Sequence, residues 1–143
     1  MDKIYNELIQ ILSKEQIFLN EPKRKHTTFK VGGPADIFLK PKNILQLKDI
    51  IKIANKNNIP YYIIGNGSNI LVKDKGIRGI VIKLDFKDIE FLDNDKVKVG
   101  AGVLLGKISN EAYKNGLSGL EFASRNTGNN RRSNKNECRG LWK

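Results

Sequence analysis

The sequence is poor in side chains that bind metals or form cross-links. Its 143 residues include one cysteine, Cys138, and one histidine, His26. A single cysteine cannot form an internal disulfide, so no oxidising compartment is implied and we expect a cytoplasmic protein. His26 has no cysteine, second histidine or pair of carboxylates near it in sequence. We therefore predict a structural role for His26 and no metal site.

Long hydrophobic runs are also missing. No stretch approaches the roughly 18 apolar residues that a helix needs to cross a bilayer. Residues 1–19 place acids and polar groups between their apolar residues, which is unlike the basic start and apolar run of a signal peptide. We therefore expect no membrane partner.

Acidic residues are too few to balance the basic ones, since 26 lysines and arginines face 15 acids and give a formal net charge of +11. Such a charge suggests a small basic protein that binds nucleic acid. Residues 125–143 alone carry six basic residues and one acid, and most other lysines alternate with apolar residues, as on a solvated face. No aromatics interleave with the basic residues and no binding motif is recognised. Nucleic-acid binding therefore stays only as an alternative, and the expectation is no nucleic-acid partner.

Three segments have the apolar spacing of amphipathic helices. The first covers residues 3–18, and the second covers residues 44–54 with Asn43 as its expected N-cap. A third helix carries Ile108, Ala112 and Tyr113 on one side and ends at Asn115-Gly116.

Four segments are typical of strands. Residues 61–64 and 79–84 are rich in Ile, Val and Tyr, and residues 89–92 and 97–99 flank a turn and predict a hairpin. A turn is also expected at residues 73–76. The order of these elements predicts an α+β protein.

A loop rich in glycine and asparagine, Gly65-Asn66-Gly67-Ser68-Asn69, follows the first predicted strand. Glycine lets the backbone approach a ligand closely, and successive exposed N–H groups form a concavity that accepts phosphate oxygens. No helix is predicted behind the loop, so it is not the dinucleotide GxGxxG motif. Because such clusters are more often ordinary turns, the residues alone leave both interpretations open.

A second close-approach loop, Gly100-Ala101-Gly102-Val103, follows the last predicted strand. A β-bulge or a simple strand end explains its spacing at least as well as a ligand does.

Four segments, in this order, resemble UDP-N-acetylenolpyruvoylglucosamine reductases. They are HTTFKVGGPA at 26–35, GNGSNILV at 65–72, GAGV at 100–103 and GLSGLEFA at 116–123. Each motif alone is weak, but all four in order are specific, and the resemblance covers about residues 20–124.

The resemblance implies an FAD-binding fold of the vanillyl-alcohol-oxidase-like (PCMH) type, with the flavin between two α+β subdomains. It also implies an enzyme that uses NADPH to reduce FAD. The flavin then passes hydride to UDP-N-acetylglucosamine enolpyruvate, a UDP-sugar, to give UDP-N-acetylmuramate for peptidoglycan synthesis. Another FAD-linked oxidoreductase that shares the domain is a second alternative, which the segment at 26–35 argues against. The sequence leaves the oligomeric state open.

The resemblance further implies that residues 65–69 bind the FAD pyrophosphate through backbone amides, that residues 100–103 contact the cofactor, and that residues 30–33 support the site. The predicted cofactor residues are Lys30, Gly32, Gly33, Gly65, Asn66, Gly67, Ser68, Asn69, Gly100, Ala101, Gly102 and Val103. No catalytic residue is assigned, since the family's proton-donating serine, arginine and glutamate belong to segments beyond Ser124.

The resemblance stops at Ser124, where the family continues with GIPGTxGGAxxMNAGAYG. Residues 125–143 have no periodicity and are rich in asparagine and basic residues, which predicts disorder. Synonymous codons chosen for residues 125–142 and read one base later encode GIPGTIGGAIRMNAGAYG. We therefore expect a frameshifted tail at 125–143, a partial FAD-binding domain at 26–124, and a helix with a connector at 1–25. Such an incomplete chain should bind FAD weakly or not at all and have no reductase activity.

Overall fold

The computed structural model describes residues 2–22, 26, 32–65, 70–92 and 96–123. The chain divides into two compact units, residues 1–84 and residues 85–143. Each unit combines helix and strand, so the predicted α+β class is confirmed.

A four-stranded sheet forms the centre of the first unit. Its strands are β1 (Ile17–Pro22), β2 (Pro34–Leu39), β3 (Tyr61–Ile64) and β4 (Ile77–Lys83). They lie in the order β1-β2-β4-β3. β1 is antiparallel to β2, whereas β4 is parallel to both β2 and β3. One core cluster of this unit consists of Ala35, Phe38, Ile64 and Val81.

Sequence analysis missed β2. Four of its six side chains are at most 1% exposed, namely those of Ala35, Ile37, Phe38 and Leu39. Consecutive side chains point to opposite faces of the sheet, so both faces are covered at β2 and its sequence loses the alternation that identifies a half-buried strand. The strand is therefore recognisable only from its pairing.

The N-terminal helix is shorter than predicted. The first helix, α1, covers Asp2–Leu8, and the prediction of helix to residue 18 is wrong because β1 begins at Ile17. Between them Ser13 starts a short 3-10 turn in which its backbone N–H donates to Gln16 Oε1 (3.1 Å). Gln16 Nε2 in turn donates to the carbonyl of Lys40 just after β2 (2.8 Å). These contacts tie residues 13–16 to the sheet. Because β1 pairs with β2, the predicted domain boundary at residue 25 falls between two paired strands.

The second helix, α2, covers Ile44–Lys56 and agrees with the prediction. Asn43 is its N-cap, and its Oδ1 accepts the backbone N–H of Gln46 (2.9 Å). Ile50 and Ala54 are fully buried, while Ile44 is exposed at the first turn. Helix α2 carries the chain from the end of β2 to the start of β3.

A bulge in β4 aligns it with both neighbours. The pairing of β2 with β4 shifts register between Ala35 and Ile37, and Gly79 adopts a φ of +108°. The Asp36 carboxylate accepts the N–H of Gly79 (2.9 Å) and an ion pair from Arg78 (2.6 Å). Asp36 thus stabilises the bulge from the neighbouring strand.

The second unit packs a hairpin against one helix. Its strands β5 (Ile89–Leu92) and β6 (Lys96–Val99) are antiparallel, as predicted, and α3 covers Leu105–Lys114. Its core cluster consists of Val103, Leu105, Ile108, Ala112, Leu120 and Ala123. Ile108 and Ala112 are buried, but Tyr113 is 83% exposed, so its predicted place on the same side as these two residues is wrong. It lies beside the stripe at positions 105, 108 and 112, where three- and four-residue spacing defines the buried face.

Replacing Asn43 with alanine should lower the free energy of unfolding by about 1 kcal/mol, because the Gln46 amide loses its acceptor at the start of α2. Urea denaturation followed by circular dichroism would measure this. The matched control is Asn55→Ala, an exposed position inside the same helix, where alanine should leave stability unchanged or raise it by a few tenths of a kcal/mol. Equal losses in the two variants would contradict the capping role.

Candidate functional site

Gly65 lies at the carboxyl end of β3. Because β3 and β4 are parallel, their carboxyl ends meet at one edge of the sheet, the edge where open α/β sheets bind ligands. Gly65 itself is buried. Residues 66–69, the rest of the predicted phosphate loop, fall outside the described residues, and their binding role stays a prediction.

The chain after this loop returns along the sheet to the start of β4. Ile70 packs against the core cluster of the first unit, Leu71 is 75% exposed, and Val72 is buried. Lys73 follows, and Asp74 and Lys75 form the predicted turn before β4. No helix occurs within residues 70–76, which agrees with the expectation that this is not a GxGxxG motif.

Gly32 and Gly33 lie at the opposite edge of the sheet from Gly65. They precede β2, whose Ala35 pairs with Ile77 at the start of β4. The seven residues of β4 separate the two edges by about 20 Å, at about 3.3 Å per residue. Gly65 is therefore not brought together with Gly32 and Gly33 within this unit, and Lys30 falls outside the described residues.

Gly32 and Gly33 instead contact the returning chain. The N–H of Gly33 donates to the carbonyl of Lys73 (3.1 Å), and the same carbonyl accepts the N–H of Gly76 (2.9 Å). A Cβ on Gly32 would lie 2.7 Å from the Cβ of Val72. Both glycines are thus explained by close packing on residues 72–76, and the supporting role expected for residues 30–33 stays a prediction. The sequence predicted Gly76 only as part of a turn, and the contact with residues 33 and 34 was not predicted.

His26 packs within the first unit. Its Nε2 lies 2.9 Å from Glu21 Oε1, and its ring stacks on Phe38 with centroids 4.3 Å apart. These contacts agree with a structural histidine. Among the described residues, no three His, Cys, Asp or Glu side chains lie close enough together to hold a metal ion.

The loop at 100–103 belongs to the second unit, and its amides are largely used within it. Gly100 donates to the carbonyl of Asp88 (2.8 Å) and Gly102 donates to that of Phe86 (2.9 Å). Val103 donates back to the carbonyl of Gly100 (3.1 Å). A Cβ on Gly102 would lie 2.6 Å from backbone atoms of Asp85, so close packing explains this glycine. The cofactor contact predicted for Gly100, Ala101, Gly102 and Val103 stays a prediction.

The segment at 116–123 closes the core of the second unit. Gly116 ends α3 with a φ of +72°, as predicted, and Gly119 has a φ of +98°. Ser109 Oγ donates to the carbonyl of Leu120 (2.8 Å), which ties the segment to α3. Hydrogen bonds from its own backbone amide and from that of Gly119 lower the pKa of Glu121.

A model of the FAD binding domain family matches residues 35–129, about two thirds of the chain. The chain belongs to this family of FAD binding domains. The predicted PCMH-type fold and FAD as its cofactor are thereby confirmed.

Within that class, the chain is similar to the reductases named from its motifs. It is 50% identical over 119 residues to UDP-N-acetylenolpyruvoylglucosamine reductase of Clostridium tetani (strain Massachusetts / E88), across 83% of this chain and 39% of that protein. The structure of UDP-N-acetylenolpyruvylglucosamine reductase from Thermus caldophilus is 34% identical, with a TM-score of 0.50 over 74% of this chain and 35% of that one. The resemblance inferred from the sequence is confirmed.

A more distant structure shares the fold alone. Alkyldihydroxyacetonephosphate synthase superposes with a TM-score of 0.65 at 17% identity, over 86% of this chain and 30% of that one. The chain spans about two fifths of the length of the curated relatives that it matches. No helix among the described residues is both long and apolar enough to cross a membrane.

Proposed function

We propose that this chain is the FAD-binding part of a UDP-N-acetylenolpyruvoylglucosamine reductase, and that residues 65–69 bind the pyrophosphate of FAD. The observation that carries the proposal is the position of Gly65. It ends a strand at the carboxyl edge of two parallel strands, in a chain half identical to a reductase over 119 residues.

The two residues that flank the loop support its proposed role. Gly65 is buried at the end of β3, and Ile70 packs into the core of the same unit. Only four residues, 66–69, join these two fixed points. These four residues include Gly67, and the backbone N–H groups of a glycine-containing turn are donors that bind phosphate oxygens without a cation.

The second unit offers a further set of backbone donors. Helix α3 begins directly behind the loop at 100–103, and its N-cap residue is Leu104. A leucine side chain cannot accept a hydrogen bond, so the first-turn N–H groups of α3 have no acceptor from their N-cap side chain. The N-terminus of a helix favours anions, which supports the predicted contact between this loop and the cofactor.

The chemistry that FAD supplies when bound is hydride transfer, from NADPH to the enolpyruvyl group of UDP-N-acetylglucosamine enolpyruvate in the proposed reaction. This chain's own contribution is to bind and orient the cofactor through backbone amides. About three fifths of each curated relative has no counterpart in the part that this chain matches. We therefore assign no catalytic residue to the chain and propose that it does not complete the reaction alone.

Exposed apolar side chains in the second unit support an incomplete domain. Large side chains at least 37% exposed include those of Phe91, Leu92, Leu104 and Phe122. Phe91 and Leu92 belong to the hairpin, whereas Leu104 and Phe122 flank α3 in sequence. A hairpin gains independent stability only from further strands or helices that cover its apolar face. The cofactor site is therefore expected to be weaker than in an intact reductase.

Residues 125–143 are proposed to be a frameshifted product of the same gene. The support lies in the sequence, since a reading one base later restores the glycine-rich segment that reductases have at this point. The shift would also explain why the only cysteine and the only tryptophan occur here.

Titration with FAD, followed by flavin fluorescence, tests the loop. We expect weak, saturable binding that does not survive gel filtration, and no comparable binding of riboflavin, which lacks the pyrophosphate. Gly67→Asp should abolish binding because a carboxylate would repel the phosphates. The matched control is Asn55→Asp, which adds the same charge at an exposed position of α2 and should leave binding unchanged. If Gly67→Asp binds FAD as well as the parent chain does, the loop assignment fails.

Reductase assays test the claim of incompleteness. The chain with added FAD should not oxidise NADPH in the presence of UDP-N-acetylglucosamine enolpyruvate, whereas the Clostridium tetani relative, run in parallel, should. Substrate-dependent NADPH oxidation by the chain alone would contradict the proposed lack of reductase activity. A preparation that stays yellow through gel filtration would contradict only the weak binding of FAD.

Sequencing the gene from codon 100 to about a kilobase past the stop tests the frameshift. We expect one superfluous base near codon 124, or a frame that reopens beyond it and encodes the rest of a reductase. Downstream DNA without trace of the family in any frame would make the tail native and refute the proposal.

A further inference from the structure

Three glycines form a compact contact at the amino ends of β2 and β4, which we call the glycine clamp. It consists of Gly32, Gly33 and Gly76 arranged around the carbonyl of Lys73. That single carbonyl accepts the N–H groups of both Gly33 (3.1 Å) and Gly76 (2.9 Å). The clamp therefore joins the chain entering β2 to the chain entering β4 through backbone atoms alone.

The clamp has no room for side chains. A Cβ on Gly33 would overlap the carbonyl oxygen of Asp74, and a Cβ on Gly76 would overlap that of Pro34. Since these obstacles are backbone atoms, the neighbouring chain would have to move as a whole to admit a methyl group. Gly33 does not have a positive φ. Glycine is therefore required there because a Cβ would overlap the neighbouring backbone, and not because of backbone strain.

The clamp is the last of three anchors on the returning chain. Ile70 packs into the core, Val72 is buried with its Cβ against Gly32, and Lys73 bonds to the clamp. The exposed Leu71 between them shows that the segment is extended, because alternate side chains point inward. A shift at Lys73 therefore reaches Ile70 through only three residues.

We infer that Gly32, Gly33 and Gly76 are positioning residues for the loop at 66–69. They set the place of Ile70, and Ile70 is one of the two fixed ends between which those four residues must close. The clamp lies about 20 Å from Gly65 along β4, so it acts without touching the ligand. The inference rests on the proposed function only for the identity of that ligand, which is the pyrophosphate of FAD.

Hydrogen exchange of the ligand-free full chain, measured by mass spectrometry, tests the clamp directly. Gly33→Ala should speed exchange of the amides at 66–73 by roughly tenfold or more, equivalent to about 1.4 kcal/mol of lost local stability. Exchange inside α2 should stay unchanged. Global unfolding would speed exchange in α2 as well, whereas a local opening of residues 66–73 would not. Gly116→Ala is the control for a destabilising glycine replacement elsewhere, because alanine is strained at its φ of +72° but meets no atom within 4 Å, and exchange at 66–73 should stay at the parent rate. Equal exchange at 66–73 in Gly33→Ala and the parent would overturn the inference.

A second variant covers the case in which Gly33→Ala does not fold. Val72→Ala removes two buried methyl groups that face Gly32 and adds no atom. It should also speed exchange at 66–71 while α2 stays protected. If exchange at 66–71 stays at the parent rate in folded Val72→Ala, the returning chain does not position the loop.

Adding FAD to the parent chain separates the clamp from the cofactor. If the two are coupled, FAD slows exchange of the Gly33 and Gly76 amides as well as that of the loop. Protection of residues 65–70 without any change at Gly33 and Gly76 would overturn the clamp's role while leaving FAD binding intact. Protection at neither place, together with a loosened loop in Gly33→Ala, would uphold the clamp and refute the proposed ligand.

Discussion

The parallel pairing of β4 with both of its neighbours is the constraint on which the first unit depends. Parallel strands cannot be joined by a tight turn, so the chain leaving β3 must travel the length of the sheet before β4 begins. Residues 65–76 make this journey, starting with Gly65 at one edge and ending with Gly76 at the other. The candidate phosphate loop and the glycine clamp are thus the two ends of one obligatory connection.

Glycine serves different purposes in segments that look alike in sequence. At Gly33 it lets two backbones pack together, and at Gly100 it allows a close approach to residues 86–88. At Gly116 it provides a positive φ that ends a helix, with open space around it. Among these glycines, Gly65 differs because it lies at the carboxyl edge of two parallel strands, where open α/β sheets bind ligands. A glycine-rich motif therefore identifies close approach, but the fold determines what is approached.

The sequence predicted the elements that depend on local interactions. Helix α2 with its Asn43 cap, the hairpin of β5 and β6, and the helix stop at Gly116 follow from signals within a few residues. It missed β1 and β2, which are fixed by pairing with distant strands and, in β2, by burial of both faces. The predicted site consists of three sequence motifs, at residues 30–33, 65–69 and 100–103. Their division between two edges of the sheet and two units depends on topology, which no local pattern encodes.

Amide chemical-shift mapping of the full chain by NMR tests the central claim most directly. The claim is that backbone amides of the connection after β3 hold the pyrophosphate of FAD. FAD should produce its largest shifts at residues 65–70, ADP should reproduce them because it carries the same diphosphate, and riboflavin should not. Largest shifts outside residues 65–70, or the same shifts with riboflavin, would contradict the claim.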